Sequence, residues 1–287
     1  MNYNYFNLFL TDIFNYHTQY DNIFLEIGIS LLYIILFSLI QGFTEFIPVS
    51  SQGHLVLYDY FFYVQDLTGF SILELNILAH GGSMIAILLY YQRLVLDLIK
   101  STKLIIRPDI DRNANLLLNL IVACIPVFVA GYYFSKFFDY TTELLLTIIS
   151  LSSIFFGFLI YFVDRFCLRV RNLDNLSPRS SFFIGLSQCL ALVPGVSRSG
   201  AIITFMRFNG YTREHSVFFS NILAIPVIFG ALTFLILDNY TRIVFDNFLN
   251  LHALLIFFFS MIFSLVFIHF LVLGLENFHL LFLLSTE

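Results

Sequence analysis

Residues 41–54 read QGFTEFIPVSSQGH, and the reading of the whole chain turns on them. They continue the apolar run GISLLYIILFSLI (28–40) without a gap, yet they bring in a carboxylate, Glu45, a proline, two adjacent serines, two glycines and a histidine. A lone carboxylate in a membrane helix costs about 2.5–3.5 kcal/mol or more, so it ordinarily has a partner or a task. Pro48 restricts Ile47 and makes 47–48 a helix end. Ser50 and Ser51 are then suited to cap a new helix, whose free backbone N–H groups carry partial positive charge. The stretch therefore predicts helix, break and helix, with the break suited to an anion and to phosphate above all.

Composition supplies the surroundings. The chain has 287 residues, of which 59% are hydrophobic and 11% charged, and a mean hydropathy of +0.87. A soluble domain carries about 25% charged residues. The deficit leaves too little polar surface to face water, so the expected class is an all-α polytopic integral membrane protein. No Pro/Gly/Ser linker or charged tract divides the chain, which predicts one embedded domain over 1–287. The net charge of −5 gives no reason to expect nucleic-acid binding. Cys124, Cys167 and Cys189 are odd in number and widely spaced, and read as small buried hydrophobes, with no disulfide or zinc site expected. The first 27 residues hold no Lys or Arg and no small-residue cleavage site, unlike a signal peptide; an interfacial aromatic segment is expected there.

Long apolar stretches fall at about 28–47, 72–92, 114–134, 144–163, 216–237 and 248–273. Most suit a helix crossing roughly 30 Å of hydrocarbon. Shorter ones, 51–64, 180–193 and 201–209, flank PVSSQG and PGVSRSG and predict two re-entrant or interrupted hairpins among five to six transmembrane helices. The last stretch, 248–284, suits either one long helix or two short ones. Loop 93–113 carries Arg93, Lys100, Lys103, Arg107 and Arg112, and loop 164–179 carries Arg165, Arg169, Arg171 and Arg179. By the positive-inside rule both loops face the cytoplasm, the first hairpin enters from outside and the second from inside.

The hairpins resemble one another. LIQGFTEFIPVSSQG (39–53) laid over LSQCLALVPGVSRSG (186–200) pairs Leu39 with Leu186, Gln41 with Gln188, Val49 with Val196, Ser50 with Ser197, and Gly53 with Gly200. Two similar breaks entering from opposite faces form the pattern of an inverted-topology repeat, about 28–163 and 180–284, with a site near the repeat interface.

Side-chain chemistry sharpens this. Gln41 and Glu45 are four apart and share a helical face. His54 lies about one turn after Ser51 and can approach its hydroxyl; a Ser/His pair beside a carboxylate is one way to activate a nucleophile. The alternative is that His54 only satisfies a backbone carbonyl and that the serines only cap. Arg198, between Ser197 and Ser199, is suited to fork onto phosphate oxygens, and Gly195 and Gly200 let backbone approach a ligand. The bland alternative for Arg198 is snorkelling to the interface, as expected of Arg207. His80, beside Gly81, Gly82 and Ser83, either lines the site or sits in a close helix contact. Gln188 needs a polar partner. Together these groups suit hydrolysis of a phosphate ester or anhydride at a membrane, with Glu45 holding a divalent cation.

These residues resemble the undecaprenyl-diphosphate phosphatase family, also called the bacitracin-resistance family. Gln41, Glu45, Pro48, Ser50, Ser51, Gly53 and His54 match its first motif. Pro194, Gly195, Ser197, Arg198, Ser199 and Gly200 match its second, while His80-Gly81 and SNILAIPVIFGA (220–231) match further segments. The resemblance covers about residues 30–235. It implies a bacterial inner-membrane enzyme that removes the terminal phosphate of a C55 isoprenyl diphosphate, recycles the carrier lipid for cell-wall synthesis and confers bacitracin resistance. It also implies a divalent cation, Mg²⁺ or else Ca²⁺, and a site facing outward. Glu45 then belongs to the metal-diphosphate site, Arg198 clamps the diphosphate, and Ser51 or His54 is nucleophile or base. Gln41, Ser50, Ser197, Ser199, Gly200, His80 and Gln188 are expected to bind substrate. The expected partners are the lipid diphosphate, the bilayer and, as an open option, a second copy in a homodimer. The chain departs from the family at Ile202, where a Thr is usual, at its C-terminus, and in an N-terminus about two dozen residues longer. A flippase for the same lipid phosphate on the same broken-helix fold is the alternative.

Overall fold

A computed structural model describes residues 28–135, 141–167, 170–239 and 250–284. Eleven α-helices lie among them. The first four are α1 (Gly28–Thr44), α2 (Ser51–Phe62), α3 (Val64–Thr68) and α4 (Ile72–Tyr90). Next come α5 (Gln92–Ser101), α6 (Arg112–Phe134), α7 (Thr142–Phe166) and α8 (Pro178–Gln188). The last are α9 (Arg198–Phe208), α10 (Arg213–Asp238) and α11 (Leu251–Leu284). No strand occurs among the described residues, and one isolated parallel bridge joins Arg171 to Tyr211. Helices α4, α6, α7, α10 and residues 251–275 of α11 are long and apolar enough to cross a bilayer. The chain is an all-α polytopic membrane protein.

In hydrocarbon every backbone polar group needs an internal partner, and the sequence caps its helices accordingly. Ser71 and Glu74 form a reciprocal capping box on α4. Asp111, Thr141, Ser177 and Thr212 each accept a backbone N–H at the start of α6, α7, α8 and α10. The two breaks use the same device. The Ser50 hydroxyl accepts from Gly53 N at 3.2 Å, and the Ser197 hydroxyl accepts from Gly200 N at 3.1 Å.

Small residues let the helices close on one another, as membrane packing requires. Helix α11 packs along α4, its most extensive contact. A Cβ on Gly82 would strike the Phe257 carbonyl oxygen, and one on Gly42 would sit 2.6 Å from Phe263 Cβ. A Cβ on Gly185 would likewise strike the Ala123 carbonyl oxygen, where α8 meets α6. Helix α7 is mostly exposed along its length but holds the second break: Ser152 Oγ donates to Pro194 O at 2.6 Å and Ser153 Oγ to Gly195 O at 3.1 Å. Gly195 has φ +88°, and a Cβ there would run into Ser152 Oγ and lie 2.6 Å from Ile149 O. A left-handed backbone on a non-glycine costs about 1–3 kcal/mol before any collision. Gly195→Ala is therefore expected to lower the melting temperature of the detergent-purified protein by several degrees; an unchanged melting temperature would contradict this packing.

Several expectations change. Residues 93–113 are not one loop: α5 occupies 92–101 and packs on α6 through buried Leu98, because its apolar residues fall on one helical face. The apolar stretch 72–92 accordingly ends as a helix at Tyr90. Arg207 does not snorkel. It is fully buried, with Nε 2.8 Å from Asp164 Oδ1 and NH1 on Tyr211 O, and Arg213 shares the same carboxylate. Asp164, on α7, supplies the counter-charge that lets a guanidinium stay inside. Residues 251–284 form one long helix, not two. The expected interfacial segment at 1–27 lies outside the described residues.

Candidate active site

The two breaks meet. Ser199 Oγ donates to Ile47 O at 2.7 Å, and a Cβ on Gly200 would lie 3.3 Å from Pro48 O. Glu45 sits at this junction with its side chain 5% exposed. Arg198 NH2 donates to Glu45 Oε1 at 3.3 Å and NH1 to Ser220 O at 3.1 Å. Ser51 Oγ donates to Glu45 Oε2 at 2.8 Å, and Gln41 Nε2 lies 3.2 Å from the same oxygen. His80 Nε2 is 3.4 Å from it. Four elements thus converge on one carboxylate: α1 through Gln41, α2 through Ser51, α4 through His80 and α9 through Arg198. In the alignment of the two breaks, Ser51 and Arg198 occupy equivalent positions at the first residue of their helices. A hydroxyl thus reaches one oxygen of Glu45 and a guanidinium the other.

A cavity of about 280 Å³ opens on this cluster. Glu45, Ser51, His80 and Arg198 are among its lining. So are Ile228, Ala231, Leu232 and Leu235, which follow one another at helical spacing on α10. The cavity is amphipathic, lined by both charged and hydrocarbon groups.

Not every expected residue joins the cluster. His54 Nδ1 pairs with Ser50 O at 2.6 Å, and the imidazole borders a separate cavity of about 110 Å³ with Thr204 and Gly157. It does not bond Ser51, whose hydroxyl is taken by Glu45 across the break. Ser50 and Ser197 border both cavities, and Gly200 borders only the smaller one. Ser199 is used in joining the breaks. Gln188 is fully buried, and among the described residues neither amide atom has a partner within hydrogen-bond distance. Gln41 Oε1, close to Glu45, is also buried without a partner among the described residues. Ile202 points into the apolar core with Met206 and Phe219, and not toward the Glu45 cavity.

Sequence reading missed the supports. Ser83, on α4, accepts from Gln41 at 3.1 Å and lies 2.9 Å from Ser264 on α11, which ties the last helix to the site. Asn76 lines the cavity, and its backbone carbonyl faces His80 Nδ1 at 2.9 Å. A signal was present: Asn76-Ile77-Leu78-Ala79 recurs as Asn221-Ile222-Leu223-Ala224, a second internal identity next to the site.

Fold and site together define a polytopic helical membrane protein with two joined helix breaks around one buried, guanidinium-paired carboxylate. The family model described as bacitracin resistance protein BacA matches residues 34–284. The chain belongs to that family. It is 37% identical over 210 residues to the undecaprenyl-diphosphatase of Ruegeria pomeroyi, covering 70% of this chain and 74% of that one. It is 37% identical over 196 residues to that of Alcanivorax borkumensis, covering 68% and 72%. To that of Mycolicibacterium vanbaalenii it is 35% identical over 213 residues, covering 74% and 75%.

Proposed function

We propose that this protein hydrolyses undecaprenyl diphosphate to undecaprenyl phosphate and inorganic phosphate, at the junction of the two helix breaks. The observation that carries this reading is the amphipathic cavity, lined by Arg198, Ser51 and Glu45 and also by the apolar residues Ile228, Ala231, Leu232 and Leu235 of α10. A lipid diphosphate likewise joins charged and hydrocarbon parts.

Ser51 Oγ attacks the terminal phosphorus while its proton passes to Glu45 Oε2, already 2.8 Å away. The bond from that phosphorus to the bridging oxygen breaks, and undecaprenyl phosphate leaves. Water then attacks the same phosphorus. The P–Oγ bond breaks, one water proton returns to Ser51, and hydrogen phosphate departs. One water is consumed and one proton released. Arg198 and the N–H groups opening α2 and α9 stabilise charge on the phosphoryl oxygens. His80 and Gln41 hold Glu45 in place. Ser51 is favoured over His54 as nucleophile because it lies in the Glu45 cavity and His54 borders the other one.

A divalent cation, Mg²⁺ or else Ca²⁺, would be held by few protein groups, since no cluster of three or more His, Cys, Asp or Glu occurs among the described residues. Glu45 supplies one carboxylate and Gln41 Oε1 is a second, unpartnered oxygen. Sites completed by substrate phosphates use one or two protein carboxylates. When bound, such an ion neutralises phosphate oxygens.

The setting follows from charge. We place the protein in a bacterial cytoplasmic membrane, as one domain built on an inverted repeat with re-entrant hairpins, the site facing outward and the basic segments 93–113 and 164–179 inside. Labelling that found segment 93–113 outside would overturn this orientation. The function is tested by adding a C55 isoprenyl diphosphate to the detergent-purified protein. Phosphate release in Mg²⁺ and its loss on chelation are expected. No release with any divalent ion, together with lipid-phosphate movement across vesicles, would instead favour the carrier.

A further inference from the structure

The α8–α9 pair has a second end. Helix α9 finishes at Phe208, about 15 Å along its axis from Arg198 at 1.5 Å per residue. Beside it, at the start of α8, lies a cavity of about 330 Å³. Arg171, Arg179, Ser180 and Tyr211 give it a polar lining, and Phe183 and Phe208 stand as apolar walls.

Among the described residues neither Arg171 nor Arg179 has a carboxylate within salt-bridge distance, whereas Asp164 is paired with Arg207 and Arg213, and Asp174 with Arg112. The backbone places both. Val170 N and Arg171 N donate to Gly210 O at 3.0 and 2.9 Å, and Thr212 N donates to Arg171 O at 3.1 Å. Arg179 sits in the first turn of α8, fixed by Pro178 and the Ser177 cap. Tyr211 is 1% exposed and its hydroxyl donates to Asn175 O at 3.4 Å; burial pushes its phenol pKa up. The walls open outward, Phe183 being 45% and Phe208 67% exposed. A basic loop that only set orientation would need no cavity, no tethered arginines and no aromatic walls.

We propose that this cavity binds the phosphate of an anionic phospholipid, with Arg171 and Arg179 on its oxygens and Phe183 and Phe208 against the first carbons of its acyl chains. Guanidinium groups match phosphate oxygens in two-point fashion, and the N-terminus of α8 adds positive potential. Basic pockets between membrane helices on the cytoplasmic side are suited to such headgroups. The site lies at the far end of α9 from Glu45 and stands independently of the proposed hydrolysis.

The test uses the full chain in neutral detergent, with bound phosphatidylglycerol and phosphatidylcholine measured by native mass spectrometry. Wild type is expected to retain phosphatidylglycerol preferentially. Arg171→Gln/Arg179→Gln should weaken that binding by about tenfold or more, at about 1 kcal/mol per basic residue. Lys103→Gln/Arg107→Gln, which removes the same charge from another basic loop, should bind as wild type does. Equal retention of the two lipids, or equal loss in both double variants, would overturn the proposal. Displacement of the lipid by millimolar inorganic phosphate would also overturn it, by making a free anion the ligand.

Discussion

Arg198→Ala is expected to lower phosphate release from a C55 isoprenyl diphosphate by about 100- to 1,000-fold, the usual loss when a preorganised donor to a developing oxyanion is removed. The guanidinium is 14% exposed and directs one nitrogen to Glu45 and another to Ser220 O, so its orientation is fixed before substrate arrives. Arg198→Lys should recover little of the loss, because an ammonium is a point charge without the planar fork. Breaking a buried ion pair also destabilises, by about 3–5 kcal/mol where the remaining charge has no other partner. Glu45 keeps Ser51 and Gln41 as donors, so the variant should remain folded; its melting temperature and monodispersity in detergent check this beside the rate. A folded Arg198→Ala protein with wild-type activity would remove Arg198 from the site.

Ser51→Ala should cost at least about 1,000-fold, as loss of a nucleophile does, whereas His54→Ala should not. General acid–base catalysis is worth about 10²–10⁴-fold, so a loss of that size in His54→Ala would contradict the assignment of His54 to the smaller cavity. Rates for both variants, measured on the same lipid and detergent preparation, separate the two roles. The geometric reason is local. His54 turns back along α2 to the Ser50 carbonyl, and Ser51 reaches across the break to a carboxylate on the preceding helix.

That contrast also marks how far the sequence could be read. Gln41 and Glu45 were legible because helical spacing puts them on one face. Arg198 was legible because an arginine among Gly and Ser at a membrane helix break has few other uses. The class and the two breaks followed from hydropathy and from Pro48 and Pro194. The pairing of Ser51 with Glu45 was not legible, since it depends on the turn between Thr44 and Ser50, which no periodicity describes. Nor was the fate of Arg207, whose counter-ion Asp164 lies on another helix 43 positions away in sequence. Ser152 and Ser153 look like ordinary small residues of an apolar span until α7 is placed against Gly195. Ser264 likewise joins the site only through the packing of α11 on α4.

The most direct measurement is phosphate release from C55 isoprenyl diphosphate by purified protein in Mg²⁺, comparing wild type with folded Ser51→Ala and Arg198→Ala. The junction of the two breaks predicts one phosphate released per lipid monophosphate formed by wild type, and near-complete loss in both variants. Release that persists undiminished in both folded variants would place the chemistry elsewhere and contradict it.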